Sequence, residues 1–183
     1  MQIRPIAIFS GASALLIVGF LLWWQGRHEN RFDPVIRAAS ARYELPPSLI
    51  KAVIWKESDF NPAARGGKGE MGLMQLMDFT AQDWADVNRI EHFAHEHVLD
   101  PWTNTMAGCH YLARLRKRYG QTDNPFLYTL ADYNAGRGNV LRWMKGAAAT
   151  NSAAFLEQCE FPGTRQYVVA ILNRREKYRR QFE

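Results

Sequence analysis

Leu49-Ile50-Lys51-Ala52-Val53-Ile54-Trp55-Lys56-Glu57-Ser58-Asp59-Phe60-Asn61-Pro62, residues 49–62, is the stretch that decides how this chain is read. Leu49, Ile50, Val53 and Ile54 recur at the spacing of one helix face. Pro46-Pro47-Ser48 starts that helix and Asn61-Pro62 stops it. Glu57 falls four residues after Val53 and three after Ile54, so it lies on the same face. A carboxylate therefore ends the apolar stripe of a core helix. Partial burial disfavours its charged form, and the C-terminal end of a helix repels negative charge, so both push its pKa up. A carboxylic acid kept protonated near neutral pH is suited to general-acid chemistry. On position alone, a stripe-edge glutamate whose carboxylate simply reaches water is the alternative.

The flanking sequence is helical as well. Asp33-Pro34 reads as an N-cap followed by Pro at the first helical position, with the helix running to about Tyr43. Asp78 reads as the cap of a helix through Trp84 and Val87. Asp100-Pro101 precedes another, marked by Met106, Tyr111, Leu112 and Leu115, and Leu127 to Tyr133 and Tyr167 to Tyr178 complete the set. Alternating strand patterns are scarce. The expected fold class is all-α (mostly α).

The 183 residues suffice for one core-bearing domain and a short appendage. A net charge of +5 is too mild and dispersed to indicate nucleic acid, and fits an anionic wall polymer or membrane surface. Pro5 to Gly26 carries no ionisable side chain, and Ile6 to Trp24 is long and apolar enough to cross a bilayer as one helix. Its small-residue cluster Gly11-Ala12-Ser13-Ala14 lies mid-run and no small-x-small site follows Trp24, which favours an uncleaved anchor over a cleaved secretory signal. Either reading takes the rest of the chain out of the cytoplasm. The expected division is 1–30 for the anchor and a short polar linker, and 31–183 for the globular domain. Cys109 and Cys159 are candidates to pair in an oxidising compartment, two buried free thiols being the plainer expectation. The basic run Arg174, Arg175, Lys177, Arg179 and Arg180 reads as a solvated helix face, with contact to anionic lipid or wall polymer as the alternative.

Motifs later in the chain give Glu57 a context. Glu57-Ser58-Asp59-Phe60-Asn61-Pro62 followed by Gly72-Leu73-Met74-Gln75-Leu76-Met77 resembles the first two motifs of the soluble-lytic-transglycosylase-like (SLT) family. Asp100-Pro101 with Asn104, Gly108, Tyr111 and Leu112 resembles its next block. Tyr133-Asn134-Ala135-Gly136 resembles its Tyr-Asn-Ala-Gly motif, and Pro162, Thr164, Tyr167 and Val168 its closing element. Five motifs in order form a far more specific signal than any one alone.

That resemblance implies a lysozyme-like domain with a groove for peptidoglycan glycan strands. It implies cleavage of the β-1,4 bond between N-acetylmuramic acid and N-acetylglucosamine with formation of 1,6-anhydromuramic ends. It implies Glu57 as general acid and base, with no cofactor and no metal. By the same resemblance Ser58, Met74, Gln75, Tyr133, Asn134 and Tyr167 are the substrate-binding candidates. Read singly, Gln75 could satisfy loop backbone, Asn134-Ala135-Gly136 could be a helix C-cap, and Tyr167 and Met74 could be core. The implied setting is a single-pass inner-membrane protein with its catalytic domain on the periplasmic side, open to a role in an envelope or secretion machine.

Three positions depart from the family pattern, of which Asp78 for a usual Pro at a helix start is a conservative exchange, since an Asp cap also favours helix initiation. Glu70, in Gly66-Gly67-Lys68-Gly69-Glu70, stands where a small residue is usual. Goose-type lysozymes resemble this domain and carry an acid at a similar offset, so Glu70 is a possible second carboxylate that would direct water and make the enzyme a hydrolytic muramidase. A solvated acid, or one paired with Lys68 or Arg65, is the plainer reading. Asp132 replaces a usual Ala, either bonding near the site or facing solvent. A peptidoglycan-binding assembly protein without cleavage is the remaining alternative.

Overall fold

The computed structural model describes residues 16–19 and 26–182. Most of the apolar run Ile6–Trp24 lies outside the described residues, and among those described no helix is long and apolar enough to cross a membrane. The fold is helical. Its elements are α1 (Asp33–Tyr43), α2 (Pro47–Ser58), α3 (Asp78–Val87), a 3-10 turn (His95–Leu99), α4 (Pro101–Arg118), α5 (Pro125–Ala135), α6 (Arg137–Trp143), a second 3-10 turn (Gly146–Ala149), α7 (Ser152–Gln158) and α8 (Pro162–Phe182). Extended pairing among the described residues is limited to the isolated bridges Arg65–Met71 and Met71–Leu76.

α2 is the central helix. Leu49, Ile50, Ala52, Val53 and Ile54 have no exposed surface, so the buried face is wider than the four-residue stripe in the sequence. α8 packs along α2, α5 packs on α8, and α4 packs against α1, α3 and α5. The helix ends follow local chemistry. Asp100 caps α4 by accepting from the Thr103 N–H at 2.8 Å, Asn124 caps α5, and Asn151 caps α7. Two expected caps are corrected. Phe32, not Asp33, precedes the first turn of α1, and Met77, not Asp78, precedes α3, neither with a side-chain cap. Asp33 instead turns its carboxylate to Lys51 Nζ at 2.7 Å. Lys51 is fully buried on α2, and that charge needs a partner more than the α1 terminus needs a cap.

Other sequence expectations resolve similarly. Cys109 and Cys159 are both free and buried, and burial pushes the Cys109 thiol well up. Asp132 faces neither the site nor solvent: it is buried, accepting from Tyr119 Oη at 2.6 Å and pairing with Arg118 at 3.2 Å. The basic run of α8 is not simply solvated. Arg174 bonds Glu29 and lies over the Trp55 ring, and Arg175 lies over Phe126. Residues 26–30, expected as linker, are helical and packed on the domain. α6 and α7 were not legible, since seven residues beside glycines and an alanine run carry little periodicity.

Candidate active site

The site is built at the C-terminal end of α2. The helix ends in Asp59 and Phe60, both in the left-handed region (φ 48° and 62°), which turns the chain sharply away just after Glu57. The loop to Met77 then folds back under its own backbone bonds. Gly66 N–H donates to Glu70 O at 2.7 Å, Gly72 N–H to Ala64 O at 2.8 Å, and Met71 and Leu76 exchange both bonds at 3.0 and 2.9 Å.

Asn104, buried on α4, anchors this loop. Its Oδ1 accepts from Met74 N–H at 2.8 Å, and its Nδ2 donates to Met71 O and Val98 O, each at 2.9 Å. Gly72 permits that approach: its φ is 79°, and a Cβ there would lie 2.1 Å from Asn104 Nδ2 and 2.5 Å from Val98 O. Gly72→Ala is therefore expected to destabilise the fold by roughly 3 kcal/mol through backbone strain and a displaced Asn104. Chemical denaturation checks this, and an unchanged midpoint would sink it.

The predicted site residues separate into two groups. Glu57, Glu70, Gln75, Tyr133 and Asn134 line one cleft of about 440 Å³, together with Lys68. A narrower extension of about 70 Å³ continues past Tyr133 and Gln75 between Phe79 and Tyr111. Tyr167 meets Glu57 directly, its Oη donating to Glu57 Oε1 at 2.5 Å. Ser58 and Met74 stand behind this surface. Ser58 Oγ donates to Leu73 O at 2.8 Å, which ties the loop to α2. Met74 is a correction to the expected binding set: its side chain is fully buried, and its sulfur fills the space over Gly108, where a Cβ would lie 2.4 Å away. Its contribution is a backbone carbonyl, which accepts from Tyr133 Oη at 2.6 Å.

Gln75 combines two readings. Its Nε2 donates to Gly72 O at 2.9 Å and Ala64 O at 3.2 Å, satisfying loop backbone, while its Oε1 lies on the Gly66 side of the cleft. Asn134 lines the cleft and accepts from Thr164 Oγ1 at 2.8 Å, which joins α5 to α8. Gly136 (φ 79°) is the C-cap of α5, so the Asn-Ala-Gly stretch serves as cap and cleft wall at once.

Glu70 is held by backbone rather than by a cation. Its Oε2 accepts from the Lys68 N–H at 2.9 Å and packs where a Gly66 Cβ would be, 2.3 Å away. Lys68 lines the cleft, a position the sequence reading missed; the glycines on either side were the available signal.

These contacts set the electrostatics. The Glu57 carboxyl rises from an ordinary 4.5 to about 7. Burial is the main cause; the Tyr167 bond pulls it down, the Glu70 charge pushes it up and Lys56 pulls it down. Burial also raises the Tyr133 and Tyr167 hydroxyls, so both stay protonated donors. The cleft thus presents a carboxylic acid able to give or take a proton near neutrality, oriented by a phenol and faced by a second carboxylate. Among the described residues no cluster of three or more His, Cys, Asp or Glu side chains is placed to hold a metal ion.

Residues 34–156 match the family described as Transglycosylase SLT domain. The soluble lytic murein transglycosylase of Escherichia coli is 33% identical over 150 residues, covering 79% of this chain and 23% of that protein. Membrane-bound lytic murein transglycosylase C of Serratia proteamaculans is 29% identical over 181 residues, covering 85% of this chain and 48% of the relative. The crystal structure of the lytic transglycosylase Slt of Pseudomonas aeruginosa, in an inactive mutant, superposes with a TM-score of 0.74 at 28% identity, over 81% of this chain and 24% of that one. This chain therefore spans about a quarter of the soluble relatives. A helical fold, five motifs in order and a protonatable glutamate in a cleft converge with the family match: the chain belongs to the Transglycosylase SLT domain family.

Proposed function

We propose that this chain is a peptidoglycan lytic transglycosylase. The observation that carries the reading is Glu57, held in the cleft by Tyr167 at 2.5 Å with its carboxyl raised to about 7. Protonated Glu57 gives its proton to the glycosidic oxygen of the departing N-acetylglucosamine as the C1–O4 bond of the β-1,4 link breaks. The N-acetyl oxygen of muramic acid closes on C1 with its own electron pair. Glu57, now a carboxylate, takes the proton of the C6 hydroxyl while O6 displaces that oxygen at C1. The product carries a 1,6-anhydro ring, no water is consumed, and Glu57 ends protonated again. One carboxylate suffices because the substrate supplies the nucleophile. Gln75 Oε1, Asn134 and the Tyr133 ring are the groups available to the sugars.

Glu70 supports a second reading, hydrolysis. A carboxylate fixed across the cleft from Glu57 is placed to orient water. Digesting purified sacculi with the full chain in detergent and weighing the muropeptides separates the two. Anhydro ends, lighter by one water, are the expected product, and reducing ends support hydrolysis. Glu70→Gln is expected to keep the anhydro product; a switch from reducing to anhydro ends on this substitution would assign Glu70 to water activation. Release of nothing, with Glu57→Gln indistinguishable from wild type, would leave only a binding role.

The apolar run Ile6–Trp24 supports an uncleaved single-pass anchor, with the helical domain on the outer face of the inner membrane where glycan strands lie. The membrane-bound name of the Serratia relative is in keeping with that placement. Alkaline extraction of membranes tests it: the chain stays in the pellet, and release into the supernatant would rule the anchor out.

A further inference from the structure

The residues just before the family-matched region make contacts that reach both members of the Glu57–Tyr167 pair. Glu57 sits on α2 and Tyr167 on α8, 110 positions apart, so their bond depends on how these two helices are set against each other. Residues 28–31 bind both helices. On the α2 side, His28 Nε2 lies 2.8 Å from Asp59 O, and Arg31 Nη2 donates to Phe60 O at 2.7 Å. Those carbonyls belong to the left-handed turn two and three residues beyond Glu57. On the α8 side, Glu29 is buried, accepting from Tyr178 Oη at 2.9 Å and pairing with Arg174 at 3.2 Å. Arg174 lies two turns after Tyr167 on α8 and covers the ring of Trp55, two residues before Glu57, at 4.4 Å. Between these contacts, buried Lys51 of α2 gathers Asn30 Oδ1 at 2.6 Å, Asp33 Oδ1 at 2.7 Å and Gln181 Oε1 of α8 at 3.0 Å.

We propose that residues 28–31 are a positioning brace for catalysis, locking the end of α2 to α8 and so setting the Glu57–Tyr167 geometry. The segment that follows the apolar run is then part of the working enzyme and not a passive tether. The inference rests on Glu57 being the acid and base.

The physical case is one of displacement. A carboxyl and a phenol at 2.5 Å lose their alignment if α2 slides or rotates by a fraction of a turn. The apolar face of α2 resists separation from α8 but grips rotation and sliding less, because dispersion contacts are weak individually and non-directional. Directed bonds to Asp59 O, Phe60 O, Arg174 and Tyr178 supply that missing constraint. The groups facing Glu57 are Tyr167 from α8, Tyr133 from α5, Glu70 from the loop and Lys56 from α2 itself. Loosening α2 from α8 changes the first of these and admits water to the carboxyl.

The test uses the full chain in detergent with two variants, Glu29→Gln and Arg31→Ala. The second is an exposed residue, so its removal leaves the core intact. Each is expected to lower kcat roughly tenfold while KM stays within about twofold, since misplacing a positioned group costs turnover rather than binding. The pH midpoint of kcat should move down, because relief of burial, the larger influence on Glu57, outweighs loss of the Tyr167 bond that lowers it. In a Tyr167→Phe background neither variant should cost much more, since the brace acts through that bond. A 13C NMR titration of the Glu57 carboxyl reads the same shift without turnover. A fall in melting temperature with kcat, KM and both midpoints unchanged would reduce residues 28–31 to scaffolding and overturn the proposal. Loss of the Glu57 reading looks different: Glu57→Gln would then match wild type in turnover, while the NMR midpoint would still report on the brace.

Discussion

Glu57→Gln is expected to stop glycan cleavage and, at the same time, to make the fold more stable in mild alkali. Glutamine keeps the shape and an oxygen for the Tyr167 hydroxyl, but it has no acidic proton for the leaving oxygen. A loss of about 10³-fold in turnover, with strand binding kept, is the scale of a missing general acid and base. The stability effect follows from linkage. The Glu57 carboxyl titrates near 4.5 in an unfolded chain and about 7 in the fold, so the folded state binds that proton more tightly. The contribution is fully present below 4.5 and lost as pH rises through about 7. At pH 8 the wild type carries an ionised, desolvated carboxylate that costs roughly 3 kcal/mol, and the amide does not. Thermal melts at pH 4 and pH 8 check this: the variant should gain only at the higher pH. Equal melting temperatures at pH 8 would mean that Glu57 is well solvated and is not the raised acid described above. Wild-type turnover should likewise decline as pH rises through about 7, as the acid form is depleted.

Asn104→Ala is expected to produce the largest loss of stability among single changes near the cleft. Asn104 has no exposed surface, and its amide satisfies three backbone groups, Met74 N–H, Met71 O and Val98 O. Alanine leaves Met74 N–H and Val98 O without their side-chain partner in the core, while Met71 O keeps its bond from the Leu76 N–H. At about 1–3 kcal/mol for each unsatisfied buried group, softened by rearrangement, the total is roughly 4 kcal/mol. For a chain of this size that is a fall of about 10 °C in melting temperature. The same change frees the loop between α2 and α3. Met74 O is the acceptor for Tyr133, and Gln75 follows it directly, so turnover should fall even well below the melting point. Calorimetry and an activity assay at low temperature check the two effects separately. A variant melting within about 2 °C of wild type would show that backbone pairs and water replace Asn104 without loss.

How much of this was legible in the sequence depends on how far apart the interacting groups lie. Glu57 stood out in the sequence because its immediate neighbours, Val53 and Ile54, define a helix face, and periodicity is a local property. The Asp100 cap was legible for the same reason. Met74 was placed at the groove by the family resemblance and by its neighbour Gln75, which does line the cleft; only Gly108, on a helix far along the chain, shows where the Met74 sulfur goes. Ser58 and part of Gln75 turned inward for a reason of the same kind. A tight loop has more backbone groups than it can pair by itself, and adjacent polar side chains satisfy them. Asp132 and Lys51 drew little notice or an open reading, because a buried charge is recognised only by a partner, and their partners Arg118, Tyr119 and Asp33 lie on other helices.

The sequence by itself determined the helical class, the helix that carries Glu57 and, through the order of its motifs, the family. These rest on contacts within a turn or two of chain, where spacing alone dictates which side chains share a face. Only the tertiary structure decided that Tyr167 holds Glu57, that Glu70 is fixed by the Lys68 N–H across the same cleft, and that residues 28–31 close around α2 and α8. Those outcomes depend on how α2 and α8 lie against one another. That arrangement is settled by the packing of the whole core, and no local stretch of sequence encodes it.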